Sequence, residues 1–452
     1  MKPPIRLIFP ALLLAVSACE TPRPGNDVTA SDAQQESSAP DVADVTVAMD
    51  VTEASVSPDA GDSSAEAASD ADASDVATDV VSNACMPAST DFQPRSAGAR
   101  MAPWDQCMAV TSAETFPVFN AAPSASARMR AVDVLDRPGG FFDPTRDPTP
   151  DEFAPTMPPV GMDTSANGLL TSTGIATRYQ RRADEHYAPP AGLVLDSTYQ
   201  DFCGPAANWM AHRDYCTSPA TLNPVLTASL ANGMGGGATP SRVFAARIQG
   251  TLQWWTYMST YKEALTCAPV VADCDAAFGY YTGGSARSEA AQYGLARSLL
   301  ALGTPGREAH DRIWDGLLAV RCWRDLDGGR TTPPVAATNE ALREQVRTQL
   351  DRALTRGIVL LTQARLRSFA STDGDAMRAA ERQAHAAWIG VVGPLLSNGL
   401  QRWSRGWWAQ QRATAPAAVV SRLVTELSAG EAITTAQAGR ASADLEAILR
   451  CP

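Results

Sequence analysis

From about residue 200 onward, apolar positions along the chain recur three and four apart. In "SRVFAARIQGTLQWWTYMSTYKEAL" they are Phe244, Ile248, Leu252, Trp255 and Met258, one stripe of a helix with Ser241 as its expected N-cap after Pro240. "EAHDRIWDGLLAVRCW" repeats the pattern with Ile313, Leu317 and Val320, and places Trp314, Leu318 and Cys322 beside them. A longer run over 339–369 carries Leu342, Val346, Leu350, Leu354, Ile358 and Leu361, with arginines on the other face. The next carries Met377, Ala380, Ala384 and Trp388 until Pro394 interrupts it, and two further helices fit 416–428 and 432–449. Strict alternation is scarce, so the predicted class is all-α, a packed helical bundle.

Residues 85–200 read differently. "DRPGGFFDPTRDPTPDEF" and "APTMPPVGMDTSANG" are rich in proline and turn residues. They predict short helices and extended loops wrapped on a core formed later in the chain. Further back, residues 20–84 hold no Phe, Tyr or Trp, and 15 Asp/Glu against one basic residue, Arg23. Such a segment cannot bury enough apolar area to offset chain entropy, and is expected to be a disordered acidic linker. Its r.m.s. reach is about 40–50 Å.

Charge changes the picture only after this division. The chain's formal net charge of -12 resides in that linker, since 34 acidic and 34 basic residues balance over 85–452. A neutral folded part disfavours nucleic acid as a partner.

The first residues read as an address. Lys2 and Arg6 precede an apolar run over 7–16, too short for a permanent membrane span, and small residues follow. "VSAC" resembles the bacterial lipobox. The resemblance implies cleavage before Cys19, lipidation of its sulfur, and a membrane as partner through the lipid; Glu20 favours the outer over the inner membrane. An ordinary signal peptide with a chance cysteine is the competing reading. The expected organisation is a signal peptide over 1–18, a linker over 19–84, and a mainly helical domain over 85–452.

With Cys19 set aside, eight cysteines remain: Cys85, Cys107, Cys203, Cys216, Cys267, Cys274, Cys322 and Cys451. An even count in an exported chain suggests disulfides. Spacing does not fix the connectivity; neighbours along the chain give Cys85–Cys107, Cys203–Cys216, Cys267–Cys274 and Cys322–Cys451. No C-x2-C pair or histidine stands at zinc-ligand spacing.

Candidate chemistry is sparse. "NGMGGGATPSR" mimics a dinucleotide loop, but no strand precedes it, and a flexible loop before the next helix is expected. "DLDGG" over 325–329 resembles the start of a calcium loop, but Ala336 occupies the position of the closing glutamate, so a turn is expected. His310 and Asp311 share a predicted helix, and His385 lies one turn before Trp388; each histidine is read as packed or, alternatively, as a ligand. His186 and His212 carry no signal. "QRWSRGWWAQQR" interleaves tryptophan and arginine, either a packing seam or a stacking platform. "ADCDAAFGYYTGG" is read as a structural corner in which Asp275 caps a short helix and Phe278 and Tyr280 plug the bundle. The alternative is a ligand pocket around Asp275, Tyr280 and Tyr281.

The order of segments over about 200–400 resembles a branch of the imelysin-like bacterial lipoproteins. There a helix is followed by roughly W-D-E-A-F-G-Y-F. "CDAAFGYY" keeps Asp275, Ala277, Phe278, Gly279 and Tyr280 and departs at Cys274, Ala276 and Tyr281. The resemblance implies an all-helical, lipid-anchored protein of the periplasm or outer membrane with a link to iron uptake. Better-known relatives carry G-x-H-x-x-E, tied to metal binding or peptidase activity; that motif is absent here. Two functions therefore stand. One is a lipid-anchored helical binding protein for a protein or small-molecule ligand, with no catalytic motif. The other is an imelysin-like metal-binding protein or metal-dependent peptidase, with a metal ion held by Asp275, His310 and Asp311.

Overall fold

A computed structural model describes residues 90–92, 123–154, 165–193, 202–267, 271–287, 293–328 and 340–448. The expected signal peptide, Cys19, the acidic linker, Cys85, Cys107 and Cys451 lie outside the described residues. Among the described residues there are α-helices and no strand, and the expected class is all-α as read.

The described residues of the 85–200 region supply four short helices, α1 (Pro123–Leu135), α2 (Pro150–Phe153), α3 (Ala166–Ser172) and α4 (Ile175–Tyr179). Then come α5 (Ala206–Ala211), α6 (Asn223–Gly235), α7 (Ser241–Thr266), α8 (Val271–Thr282), α9 (Gly294–Leu300) and α10 (Thr304–Gly328). The last part is α11 (Glu340–Ser371), α12 (Ala379–Arg402), α13 (Gly406–Thr414), α14 (Ala417–Ser428) and α15 (Thr435–Ile448). No described helix is long and apolar enough to cross a membrane.

Helix α7 organises the fold. Every residue from Val243 to Thr266 is buried except Arg247. The single stripe expected from its apolar spacing understates this, because α6, α8, α11 and α12 pack around it and leave no solvent face. Gln249, Gln253 and Lys262 are enclosed with the apolar residues. Around α7 the largest fully buried side chains are Trp254, Trp255, Trp314, Trp323, Trp388, Trp403 and Trp408. Trp403 and Trp408 are thus a packing seam and not an exposed stacking platform.

Several local expectations are corrected. Ser241 is the first residue of α7 and not its cap; its hydroxyl donates to the Pro148 carbonyl at 2.6 Å, tying α7 to the loop before α2. Met377 is 97% exposed, because α12 begins at Ala379 and a 3-10 turn precedes it. Pro394 does not end α12. Its ring removes the backbone bond to Gly390, and at that weakened turn the segment Gly430–Ala432 packs so closely that a Cβ on Gly390 would stand 2.3 Å from Glu431 Cγ. The expected turn over 325–329 is helical as far as Gly328. Gly233 and Gly235 belong to α6, and only the residues after them form the link. The expected corner at 272–284 is itself a helix, α8, and the turn follows it at Gly283 and Gly284.

Two of the locally read disulfides are present. Cys203–Cys216 has Cα atoms 5.5 Å apart, and Cys267–Cys274 has them 4.9 Å apart and staples the end of α7 to α8. Cys322 is disulfide-bonded, with its partner outside the described residues.

Candidate functional site

The polar residues trapped on α7 open onto a cleft. Gln249 and Gln253 stand four residues apart and therefore on one face. That face meets the end of α1, the middle of α9 and the later half of α11, which supply Asp136, Ser298 and Arg365. The resulting cleft has a volume of about 480 Å3, within the range of small-molecule sites.

Its walls are tied by one continuous hydrogen-bond chain. The Trp388 indole donates to Gln253 Oε1 at 2.8 Å. Because that N–H can only donate, the Gln253 amide turns its nitrogen to Ser298 Oγ, at 3.0 Å. Ser298 donates to Asp136 Oδ2 at 3.3 Å, and Gln249 Nε2 donates to Asp136 Oδ1 at 2.8 Å. The other end of the Gln249 amide accepts from Arg365 Nη2 at 2.6 Å. Arg365 Nη1 lies 3.3 Å from His385 Nδ1. The Arg365 guanidinium also rests 5.6 Å from the Trp388 ring centre.

The electrostatics follow from enclosure. Burial pushes the Asp136 carboxyl above its ordinary pKa, against the opposing pull of Arg365. Burial likewise lowers Arg365, against the charge of Asp136. Burial first, and the Arg365 guanidinium next, bring His385 down to about 4, against the pull of Glu381. His385 is therefore neutral at neutral pH, accepts at Nδ1 from Arg365, and carries its proton on Nε2, 3.6 Å from Glu381. Phe142, Leu302, Leu361 and Ala364 also line the cleft and give it apolar surface beside the polar groups.

The residues singled out from sequence are elsewhere. Asp275 lies inside α8 and does not cap it; Arg321 Nη1 donates to its Oδ1 at 2.9 Å. The Tyr280 hydroxyl accepts from Arg128 at 3.2 Å, and its ring stands edge-on to Trp255. Tyr281 and His310 are brought together, with Oη 2.9 Å from Nδ1, both fully buried. Asp311 takes Arg287 at 2.8 Å. Asp275, His310 and Asp311 thus serve three different partners, and no group of three His, Cys, Asp or Glu among the described residues could hold a metal ion. The described residues do not fit the metal that the imelysin-like resemblance implies.

Sequence reasoning passed over His186. Its ring is wholly enclosed, stacked 3.9 Å from Tyr261 and 4.4 Å from Trp403. Nδ1 lies 2.8 Å from Asp184 Oδ1 and Nε2 2.9 Å from Asp351 Oδ1. Burial alone would lower its pKa; the two carboxylates outweigh burial and raise it to about 9. Asp351 also accepts from the backbone N–H of Trp407, and Gly406 beside it has φ +85, with any Cβ only 2.5 Å from Asp351 Oδ2. Without an opening to solvent, this imidazolium is a structural clamp.

A second buried charge cluster sits between the end of α7 and α8. Glu263 pairs with Arg182 at 3.1 Å and Lys262 at 3.2 Å. Burial, then the charge of Glu263, raise nearby Asp273 to about 6.

No protein-family model, no curated protein and no solved structure matches the chain.

Proposed function

We propose that this chain is an exported, lipid-anchored helical binding protein that takes a small polar ligand in the cleft between α1, α7, α9 and α11. The single observation that carries the binding role is the Trp388–Gln253–Ser298–Asp136–Gln249–Arg365 chain lining a cleft of about 480 Å3. Buried polar networks cost desolvation, and this one faces an open volume of ligand size. The anchor rests on the lipobox-like "VSAC" before Glu20 and on the acidic linker after it. Disulfides at Cys203–Cys216 and Cys267–Cys274 suit an oxidising compartment. The imelysin-like alternative rests on the order of segments over about 200–400, and the residues named for its metal have separate partners in the fold.

The test takes the full chain from its native membranes. Cys19→Ser is expected to release it from the membrane fraction. Native mass spectrometry is expected to find one small molecule per chain, lost in Ala301→Trp, which narrows the cleft at its exposed rim. A chain that carries no small molecule and shows no thermal shift with amino acids, sugars, carboxylates or polyamines would overturn the binding role.

A further inference from the structure

We propose that the ligand of this cleft is a free α-amino acid with an apolar side chain, its ammonium on Asp136 and its carboxylate on Arg365. This rests on the cleft being a binding site and names the class of molecule it takes.

The argument begins with the spacing of the two charges. Asp136 and Arg365 do not touch each other; each is hydrogen-bonded to one end of the same Gln249 amide, at 2.8 Å and 2.6 Å. Opposite charges are thus held one amide group apart on one wall. An α-amino acid carries its two opposite charges on a single carbon, and so presents them at a similarly short separation. A peptide would spread them over a longer span.

Valence is left for such a ligand. The Asp136 oxygens accept one bond each within the chain, from Gln249 and Ser298, and a carboxylate offers about four acceptor directions. Arg365 gives one N–H to Gln249 and one toward His385, and a guanidinium has about five. Both side chains are half-buried and line the cleft.

Charge balance then selects among ligands. Of the other charged residues lining the cleft, Arg137 and Arg297 pair with Asp133, and Asp143 accepts from the Gly139 and Thr145 backbone, which leaves Asp136 and Arg365 to be matched. A neutral sugar would displace water and leave each ion with only a distant counter-charge across the Gln249 amide. A simple anion or cation would compensate one and oppose the other. A zwitterion supplies a counter-charge to each and adds no net charge. The wall of Phe142, Leu302 and Leu361 gives an apolar side chain its place.

Calorimetric titration of the full-length protein with L-leucine, N-acetyl-L-leucine, L-leucinamide, succinate and glucose tests this. L-leucine is expected to bind, and removal of either charge in the two derivatives is expected to weaken binding about 10–100-fold. Asp136→Asn should weaken L-leucine by a similar factor and leave N-acetyl-L-leucine unchanged. Ala301→Trp, whose polar wall is intact, should lose L-leucine. Equal binding of L-leucine and N-acetyl-L-leucine would overturn the assignment, whether or not Asp136→Asn folds. Glucose or succinate binding that Ala301→Trp abolishes, with L-leucine silent, would overturn the zwitterion and keep the cleft. Silence of all five probes would overturn the amino-acid assignment, and the cleft reading would fall with it only if the chain from native membranes also carries no small molecule.

Discussion

His186 and Asp351 lie 165 residues apart in the chain and 2.9 Å apart in the fold, the imidazolium nitrogen donating to the carboxylate. With Asp184 on the other ring nitrogen, they clamp the loop after α4 to α11 and, through Trp407 N–H, to α13. His186→Ala leaves two buried carboxylates facing each other without the cation. We expect a loss of about 3–5 kcal/mol in denaturant unfolding.

The same residue sets the alkaline limit. A histidine whose pKa rises from 6.5 to about 9 on folding contributes stability that is complete below pH 6.5 and lost as pH rises to about 9. The contribution is about 3 kcal/mol. Unfolding midpoints measured from pH 6 to 10 should fall over that window in the wild type, and the slope should flatten in His186→Gln.

His385 sets an opposite limit. Its pKa falls from 6.5 to about 4 on folding, so its contribution is complete above pH 6.5 and lost as pH falls toward 4. His385→Gln should flatten the acid limb without touching the alkaline one. If both limbs persist in both variants, neither histidine governs them.

Asp275 was a ligand candidate by sequence and is a buried partner of Arg321 in the fold. Asp275→Ala should cost about 3–5 kcal/mol by leaving the guanidinium without that counter-charge. Met377→Ser, at a 97% exposed position, should change stability by less than about 0.5 kcal/mol. A stable Asp275→Ala chain with altered ligand binding would return the residue to the list of ligand contacts.

Replacing both Cys267 and Cys274 by serine opens the short loop between α7 and α8. The loop-closure model gives a loss of roughly 2–3 kcal/mol, read as a lower unfolding midpoint. The Lys262–Glu263–Asp273 cluster sits at that joint, so the variant should also shift the acid titration of the protein near pH 6.

What was legible in the sequence was whatever is local. Helices α10, α11 and α12 carry apolar residues three and four apart, and that spacing alone finds them, although 353–363 of α11 and 313–324 of α10 are buried all round. The pairings Cys203–Cys216 and Cys267–Cys274 join near neighbours. What escaped depends on contacts made across the chain. Gln249 and Gln253 fall off the apolar stripe of α7, and only packing on all sides of that helix turns them into a buried wall. Asp136 sits in an unremarkable "VLDRPGG", and its partner Arg365 lies far along the chain. His186 falls in an irregular stretch whose closing carboxylate is 165 residues on. The stretch around Asp275 did stand out, because aromatic and acidic residues cluster there; they are clustered for packing.

Helix α7, enclosed on every side, also governs how the chain can be cut. It is 26 residues long, a rod of roughly 39 Å. Its sheath is assembled from segments on both sides of it, between α6 and α12. A nascent or nicked chain lacking any of these would expose an apolar surface running along that rod. The helical part is therefore expected to resist division into fragments, and partial products should be recognised by chaperones or degraded and not persist as a smaller folded unit.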